Sequence, residues 1–208
     1  MRYSLLAAVL ACLVSVGPAS AQETHPFSIH DMLAMDRVSS PVPSPDGEEV
    51  VFVLRTTDLE ANRGRTDLWS VGIDGAGLRR LTSHEAGDFD PVWSPDGRWI
   101  YFLSTRSGSS QVWRIARDGG EALPVTHELL DVGNLKLSPD GRTLAFTMEV
   151  FPDASVEETQ EKLQAREESP ATGVVYETLF FRHWDTWKDG RRSHLFVRGV
   201  EGGPTVDI

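Results

Sequence analysis

The sequence predicts an all-β fold: a partial β-propeller of about three four-stranded blades, with a short N-terminal helix and a helical insertion in the third blade. Two repeats predict it. Ser-Pro-Asp-Gly recurs at Ser44–Gly47, Ser94–Gly97 and Ser138–Gly141, at spacings of 50 and 44 residues. A second half-repeat follows each copy: Asp67-Leu68-Trp69 with Asp74-Gly75 and Leu81, Gln111-Val112-Trp113 with Asp118-Gly119 and Val125, and His194-Leu195-Phe196 with Glu201-Gly202 and Ile208. Four short strands and two tight turns in a period of forty-odd residues is the arithmetic of a propeller blade.

Each tetrapeptide precedes a strand-like run: Val50 to Leu54, Trp99 to Leu103, and Thr143 to Thr147. Proline presets φ near −65°, Asp favours the next turn position, and glycine accepts the left-handed conformation that closes a tight hairpin. Acidic-Gly between two short runs marks the second hairpin of each unit. These signals place the blades at about 38–82, 89–126 and 132–208, in a propeller region spanning 38–208. Trp69, Trp93, Trp99, Trp113 and Phe196 are read as blade-to-blade packing, since aromatics bury large areas between stacked sheets. An aromatic cage for a ligand is the sharper alternative.

The first 21 residues read as a signal peptide. Arg2 supplies the positive end, Leu5 to Val16 form a largely apolar stretch, Gly17-Pro18 break it, and Ala19-Ser20-Ala21 offers a small-x-small cleavage site. Cleavage is expected after Ala21, which implies a periodic-repeat protein exported to the periplasm or secreted. The stretch is too short to span a bilayer. Residues 22–37 form an N-terminal segment in which Ser28 caps a short helix running to about Met35, with Asp31 in its first turn.

Within the blades, Thr57 to Thr66 reads as a polar surface loop. The major insertion lies in blade three, at about 151–192. Ser155-Val156-Glu157-Glu158 is a capping box, and Thr159 to Glu168 are strong helix formers ended by Ser169-Pro170. Glu158 and Lys162 are spaced to pair at i,i+4. The apolar face, Val156 and Leu163, is thin, so this helix should lie on the surface. Its aromatic-rich tail, Leu179 to Trp187, is where a propeller scaffold would carry function; packing against blade three is the plainer role.

Composition restricts the chemistry. Of 208 residues, 31 are Asp or Glu and 20 Lys or Arg, giving a net charge of −11, which argues against nucleic acid or an anionic membrane as the main partner. The one cysteine, Cys12, excludes a disulfide framework and lies inside the predicted signal. There is no G-x-S-x-G elbow, H-E-x-x-H, phosphate-binding P-loop or dinucleotide fingerprint. The six histidines show no metal-ligand spacing, and no cofactor or metal is implied. His183 and Asp185, two apart, lack the third member a catalytic triad needs.

The motif order carries a resemblance. A signal peptide, a short helix, Arg37-Val38-Ser39 leading to Ser44-Pro45-Asp46-Gly47, further such blades, and Phe181-Arg182-His183-Trp184-Asp185-Thr186-Trp187-Lys188-Asp189-Gly190 together resemble the N-terminal propeller of the prolyl oligopeptidase family, in its exported dipeptidyl aminopeptidase and acylaminoacyl-peptidase branch. The resemblance implies a propeller that filters peptides by size ahead of an α/β-hydrolase domain holding a Ser-Asp-His triad. No catalytic motif of that family has a matching position here, so no catalytic residue is assigned and the chain alone is expected to be inactive. Arg182 and Asp185 are the candidate substrate-binding residues, through a peptide terminus. Peptide substrate, met through a hydrolase domain, is the expected partner. The chain is accordingly expected to be a truncated piece of a closed wheel. A TolB-like periplasmic interaction scaffold is the alternative, to which the tetrapeptides fit equally well and the insertion poorly.

Overall fold

Four strands in each repeat form one antiparallel sheet. The computed structural model describes residues 25–171, 173, 182, 183 and 186–208; the predicted signal segment and Asp185 lie outside them. The first sheet joins β1 (Arg37–Pro43), β2 (Glu49–Asp58), β3 (Arg63–Gly72) and β4 (Arg79–Arg80) in that order. The second joins β5 (Asp88–Trp93), β6 (Trp99–Ser104), β7 (Gln111–Ala116) and β8 (Leu123–Pro124). In the third, β9 (Gly133–Leu137) and β10 (Thr143–Val150) are followed by α2 (Val156–Glu167), the two-residue strands β11 (Arg182–His183) and β12 (Thr186–Trp187), and then β13 (Arg192–Gly199) and β14 (Val206–Asp207). Its spatial order is β9-β10-β13-β14. The N-terminal helix α1 spans Ile29–Ala34, with Ser28 N–H and Oγ–H both donating to Asp31 Oδ2 at 2.7 Å.

The repeated tetrapeptide builds the same turn three times. Gly47, Gly97 and Gly141 have φ of 73°, 67° and 70°. Each turn serine donates to the carboxylate two residues on: Ser44 to Asp46 at 2.5 Å, Ser94 to Asp96 at 2.6 Å and Ser138 to Asp140 at 2.6 Å. The same hydroxyl accepts the N–H that opens the next strand, from Glu49, Trp99 and Thr143, at 2.9–3.0 Å. Serine therefore fastens the hairpin at both ends, a role that turn propensity alone does not reveal.

A second repeated feature is a left-handed residue in the first strand of each blade. Ser40, Asp90 and Asn134 have φ of 50°, 53° and 52°, and each sits where pairing with the second strand slips. Asp90, half-buried, accepts the Leu135 N–H of the next blade on its carboxylate at 3.0 Å. At the preceding seam the position equivalent to Leu135 is Pro91, which has no N–H to offer.

Stacking of the sheets makes the core. Val51, Val53 and Leu68 of blade one pack with Trp93, Ile100, Phe102 and Ile115 of blade two. Tyr101, Leu103 and Val112, on the other face of blade two, pack with Leu144, Phe146, Met148 and Phe196 of blade three. One aromatic pair recurs directly across the second and third strands: Phe52 opposite Trp69, Phe102 opposite Trp113, Phe146 opposite Phe196. In blades two and three this pair faces the preceding blade. In blade one both members are half-buried and belong to neither core cluster, so the packing expected for Trp69 is not made among the described residues.

Two local expectations are corrected. The segment 57–66 is mostly strand, not loop: Thr57 pairs Gly64 and Asp58 pairs Arg63, leaving a tip of Leu59–Asn62. Asp58 closes that tip by accepting the Ala61 N–H at 3.0 Å and binding Arg65 at 2.8 Å, so local ion pairing extends a ladder that composition read as polar loop. In α2, the Glu158 carboxylate is committed to the capping box with Ser155. Lys162 instead lies over the Phe151 ring, 5.5 Å from its centre.

Candidate functional site

The insertion leaves blade three between its second and third strands. Val150 and Arg192 still face each other in the ladder, so the chain departs and returns without breaking the sheet. Thr159, fully buried, fixes α2 to this root by accepting the Phe151 N–H at 3.2 Å. Arg166 stacks over the Phe151 ring at 4.8 Å. Val156 and Leu163 rest on the blade-three core cluster, as the thin apolar face predicted.

Beyond α2, β11 and β12 form a short antiparallel pair, Arg182 opposite Trp187 and His183 opposite Thr186. Arg182 is thereby placed by its backbone in β11. Asp185 lies outside the described residues, so the two predicted substrate-binding residues are not brought into a described geometry.

At the root of the insertion is an open cleft of about 460 Å³. Its walls are the crossover from blade two (His127, Glu128), the outer strands of blade three (Arg198, Thr205, Asp207) and the first turn of α2. Glu128 organises it. Its Oε1 accepts from Arg198 Nη1 and Thr205 Oγ1, both at 2.8 Å, while its N–H donates to Gln111 Oε1 at 2.8 Å. Asp207, on the cleft wall, has its Oδ2 2.9 Å from His194 Nδ1.

Two of the cleft's hydroxyls have partners: Ser155 Oγ accepts the Glu158 N–H at 3.1 Å and Thr205 Oγ1 donates to Glu128 at 2.8 Å. Among the described residues no cluster of His, Cys, Asp or Glu could hold a metal ion.

Gln111 was missed as a structural centre by sequence reading. Buried at the first position of its half-repeat, it donates to the Glu128 and Leu130 carbonyls at 3.0 and 3.3 Å. Its Oε1 also accepts from Thr126 Oγ1 at 2.9 Å. Asp67 occupies the same position in blade one and binds Arg80 at 2.7 Å; burial pushes its carboxyl above the usual range, against the pull of Arg80. The signal was present in the recurring threonine after the last apolar residue. Thr82 Oγ1 accepts the Leu68 N–H and Thr126 Oγ1 the Val112 N–H, at 3.0 and 2.8 Å.

The family described as PD40, the TolB beta propeller domain, matches residues 33–170. The chain belongs to this TolB β-propeller family. Among curated proteins it is 27% identical to dipeptidyl-peptidase 5 of Porphyromonas gingivalis over 202 residues, 97% of this chain and 29% of that protein. Among solved structures, acylaminoacyl peptidase of Pyrococcus horikoshii aligns with a TM-score of 0.59 at 15% identity, over 85% of this chain and 26% of that one. A putative TolB of Agrobacterium tumefaciens aligns with a TM-score of 0.52 at 24% identity, covering 82% and 50%. The two structural likenesses establish the propeller fold, and the chain spans under a third of the dipeptidyl-peptidase's length. Among the described residues no helix is long and apolar enough to cross a membrane.

Proposed function

We propose that this TolB-family propeller is the non-catalytic, substrate-gating portion of an exported serine peptidase of the dipeptidyl or acylaminoacyl type, whose α/β-hydrolase domain is encoded beyond these residues. The observation that carries the reading is the span of likeness: the dipeptidyl-peptidase 5 alignment runs over 97% of the chain, which takes in the insertion. Catalysis in such an enzyme is serine attack assisted by a histidine base, then acyl-enzyme hydrolysis. The blades would limit access by size, and Arg182 and Asp185 would hold a peptide terminus. A signal peptide at 1–21 would direct export.

Two measurements test this. In the full-length peptidase, replacing Arg182 and Asp185 by Ala should raise KM for oligopeptides with kcat little changed, because only ground-state binding is lost; an unchanged kcat/KM removes that assignment. A fluorophosphonate probe should label the full-length product at one serine and leave this chain unlabelled. Labelling of this chain alone would overturn the division of labour.

A periplasmic interaction scaffold with no enzyme attached is the second reading, favoured by the family match over residues 33–170. It predicts no G-x-S-x-G downstream in the coding sequence, whereas the peptidase reading requires one between a strand and a helix.

A further inference from the structure

Blade two fastens its exit with an amide. Gln111 Nε2 donates to the carbonyls of Glu128 and Leu130 in the crossover to blade three, and Gln111 Oε1 accepts from Thr126 Oγ1 and the Glu128 N–H. The crossover from blade one to blade two has the same plan. Fifteen positions separate Asp67 from Thr82 and Gln111 from Thr126, and eight more lead to the left-handed residues Asp90 and Asn134. Asp67 therefore stands where Gln111 does, and the carbonyls of His84 and Ala86 stand where those of Glu128 and Leu130 do.

The chemistry at the two positions differs. An ionised carboxylate only accepts, so it cannot grip a carbonyl as an amide N–H does. Asp67 is 5% exposed. Its Oδ2 takes Arg80 Nη2 at 2.7 Å, while Oδ1 is enclosed without a hydrogen-bond partner among the described residues. Arg80 also holds the crossover, its Nε donating to the Thr82 carbonyl at 2.8 Å. From the start of β5, the Asp88 carboxylate opposes a negative charge on Asp67, and both Asp88 oxygens bind Arg106 from the loop after β6. The crossover's own His84 and Glu85 are exposed. His84 Nδ1 accepts the Ala86 N–H, and the Glu85 carbonyl accepts from Arg63 Nη2, both at 3.0 Å.

We propose that Asp67 is a proton-operated latch on the crossover between blades one and two. At neutral pH its Oδ1 has no hydrogen to give, and Arg80 alone links the carboxylate to the crossover. A proton taken from solvent onto Oδ1 makes that oxygen a donor to one crossover carbonyl. A carboxyl is a methylene shorter than the Gln111 side chain and carries one proton where the amide carries two, so it takes one carbonyl where Gln111 takes two. Burial raises the Asp67 carboxyl above the usual range; Arg80 works against that rise and Asp88 adds to it. A raised carboxyl contributes stability in acid and loses it as pH rises through the folded value. The latch therefore closes at a pH above that of an ordinary aspartate, about 3.9. All of these residues belong to blades one and two and the chain between them, and the latch does not depend on the peptidase reading.

Hydrogen–deuterium exchange of the intact protein tests this, read on peptides covering residues 82–88 and 126–132 in the wild type and in Asp67→Asn. Asparagine has the shape of the protonated carboxyl and a permanent N–H, so it mimics the closed latch. At about pH 7.5 the 82–88 crossover of the wild type should exchange about 2- to 10-fold faster than that of the variant, the worth of one hydrogen bond. Near pH 4.5, just above the ordinary aspartate range, the two should converge. His84 is common to both proteins, so its own titration cancels in the ratio. A ratio that stays constant with pH, or a variant no better protected at pH 7.5, would overturn the latch. So would the same change at 126–132, which Gln111 holds at every pH. Should Asp67→Asn not fold, Asp67→Gln takes its place with the same expected convergence.

Discussion

Gly141 lies against Pro95, with the space for a Cβ ending 3.1 Å from the proline Cδ. The same residue closes its own hairpin at φ 70°. One glycine thus serves two requirements, the left-handed turn within a blade and the close approach between blades.

Replacing Gly141 by Ala should cost more than the same change at Gly47. Both have φ near 70°, so each meets the left-handed penalty of about 1–2 kcal/mol. Gly47 has open space around its Cβ position, whereas Gly141 has Pro95. Denaturant melts of the two variants should differ by that added contact; equal losses would show that the turn stacking carries no strain.

Aromatic truncation should divide the blades by position. Phe102 and Phe146 are fully buried at seams, and Phe→Ala there should cost about 3–5 kcal/mol. Phe52 holds the equivalent place in blade one but is half-buried, so Phe52→Ala should cost clearly less. Chemical denaturation of the three variants checks the order.

Asp88 and Arg106 form an enclosed ion pair, with the carboxylate fully buried and Arg106 Nη2 at 2.8 and 2.7 Å from its two oxygens. The guanidinium also lies over Trp113, 4.9 Å from the ring centre. Asp88→Ala should cost about 3–5 kcal/mol by leaving that cation buried and unpaired. A thermal melt showing little loss would mean that the aromatic rings suffice to hold Arg106.

Acid should weaken the turns. Hydrogen bonds from Ser94 and Ser138 hold the carboxyls of Asp96 and Asp140 below the usual range, and Arg117 followed by Ser44 does so for Asp46. Depressed carboxylates stabilise the fold above their unfolded values and lose that contribution as pH falls through the folded ones. The melting temperature should therefore drop below about pH 4. Ser94→Ala should return the Asp96 titration toward its ordinary position, read by NMR; an unmoved titration would remove the serine from the explanation.

Much of the blade pattern was legible because it is local. Pro and Gly at fixed places in Ser94–Gly97, and Asp-Gly at Asp118-Gly119, dictate turns within a few residues. The capping box at Ser155 and Glu158 was equally readable, since both partners lie on one turn. The 57–66 segment was misread because polarity resembles loop composition, while its ladder depends on Asp58 meeting Arg65 across a hairpin. The candidate cleft was not legible at all: Glu128 precedes its partners Arg198 and Thr205 by 70 and 77 residues, and the three share no periodic pattern.

The sequence by itself determined the three four-stranded sheets, their turns and the place of the insertion, because each follows from short-range dihedral preference and hydrogen bonding. Only the tertiary structure decided which side of each strand meets which neighbour. Blade two is apolar on both sides, so alternation with a period of two cannot tell its faces apart. Contacts such as Gly141 on Pro95 or Trp93 Nε1–H donating to the Val42 carbonyl at 3.1 Å arise only when whole sheets, already formed, stack.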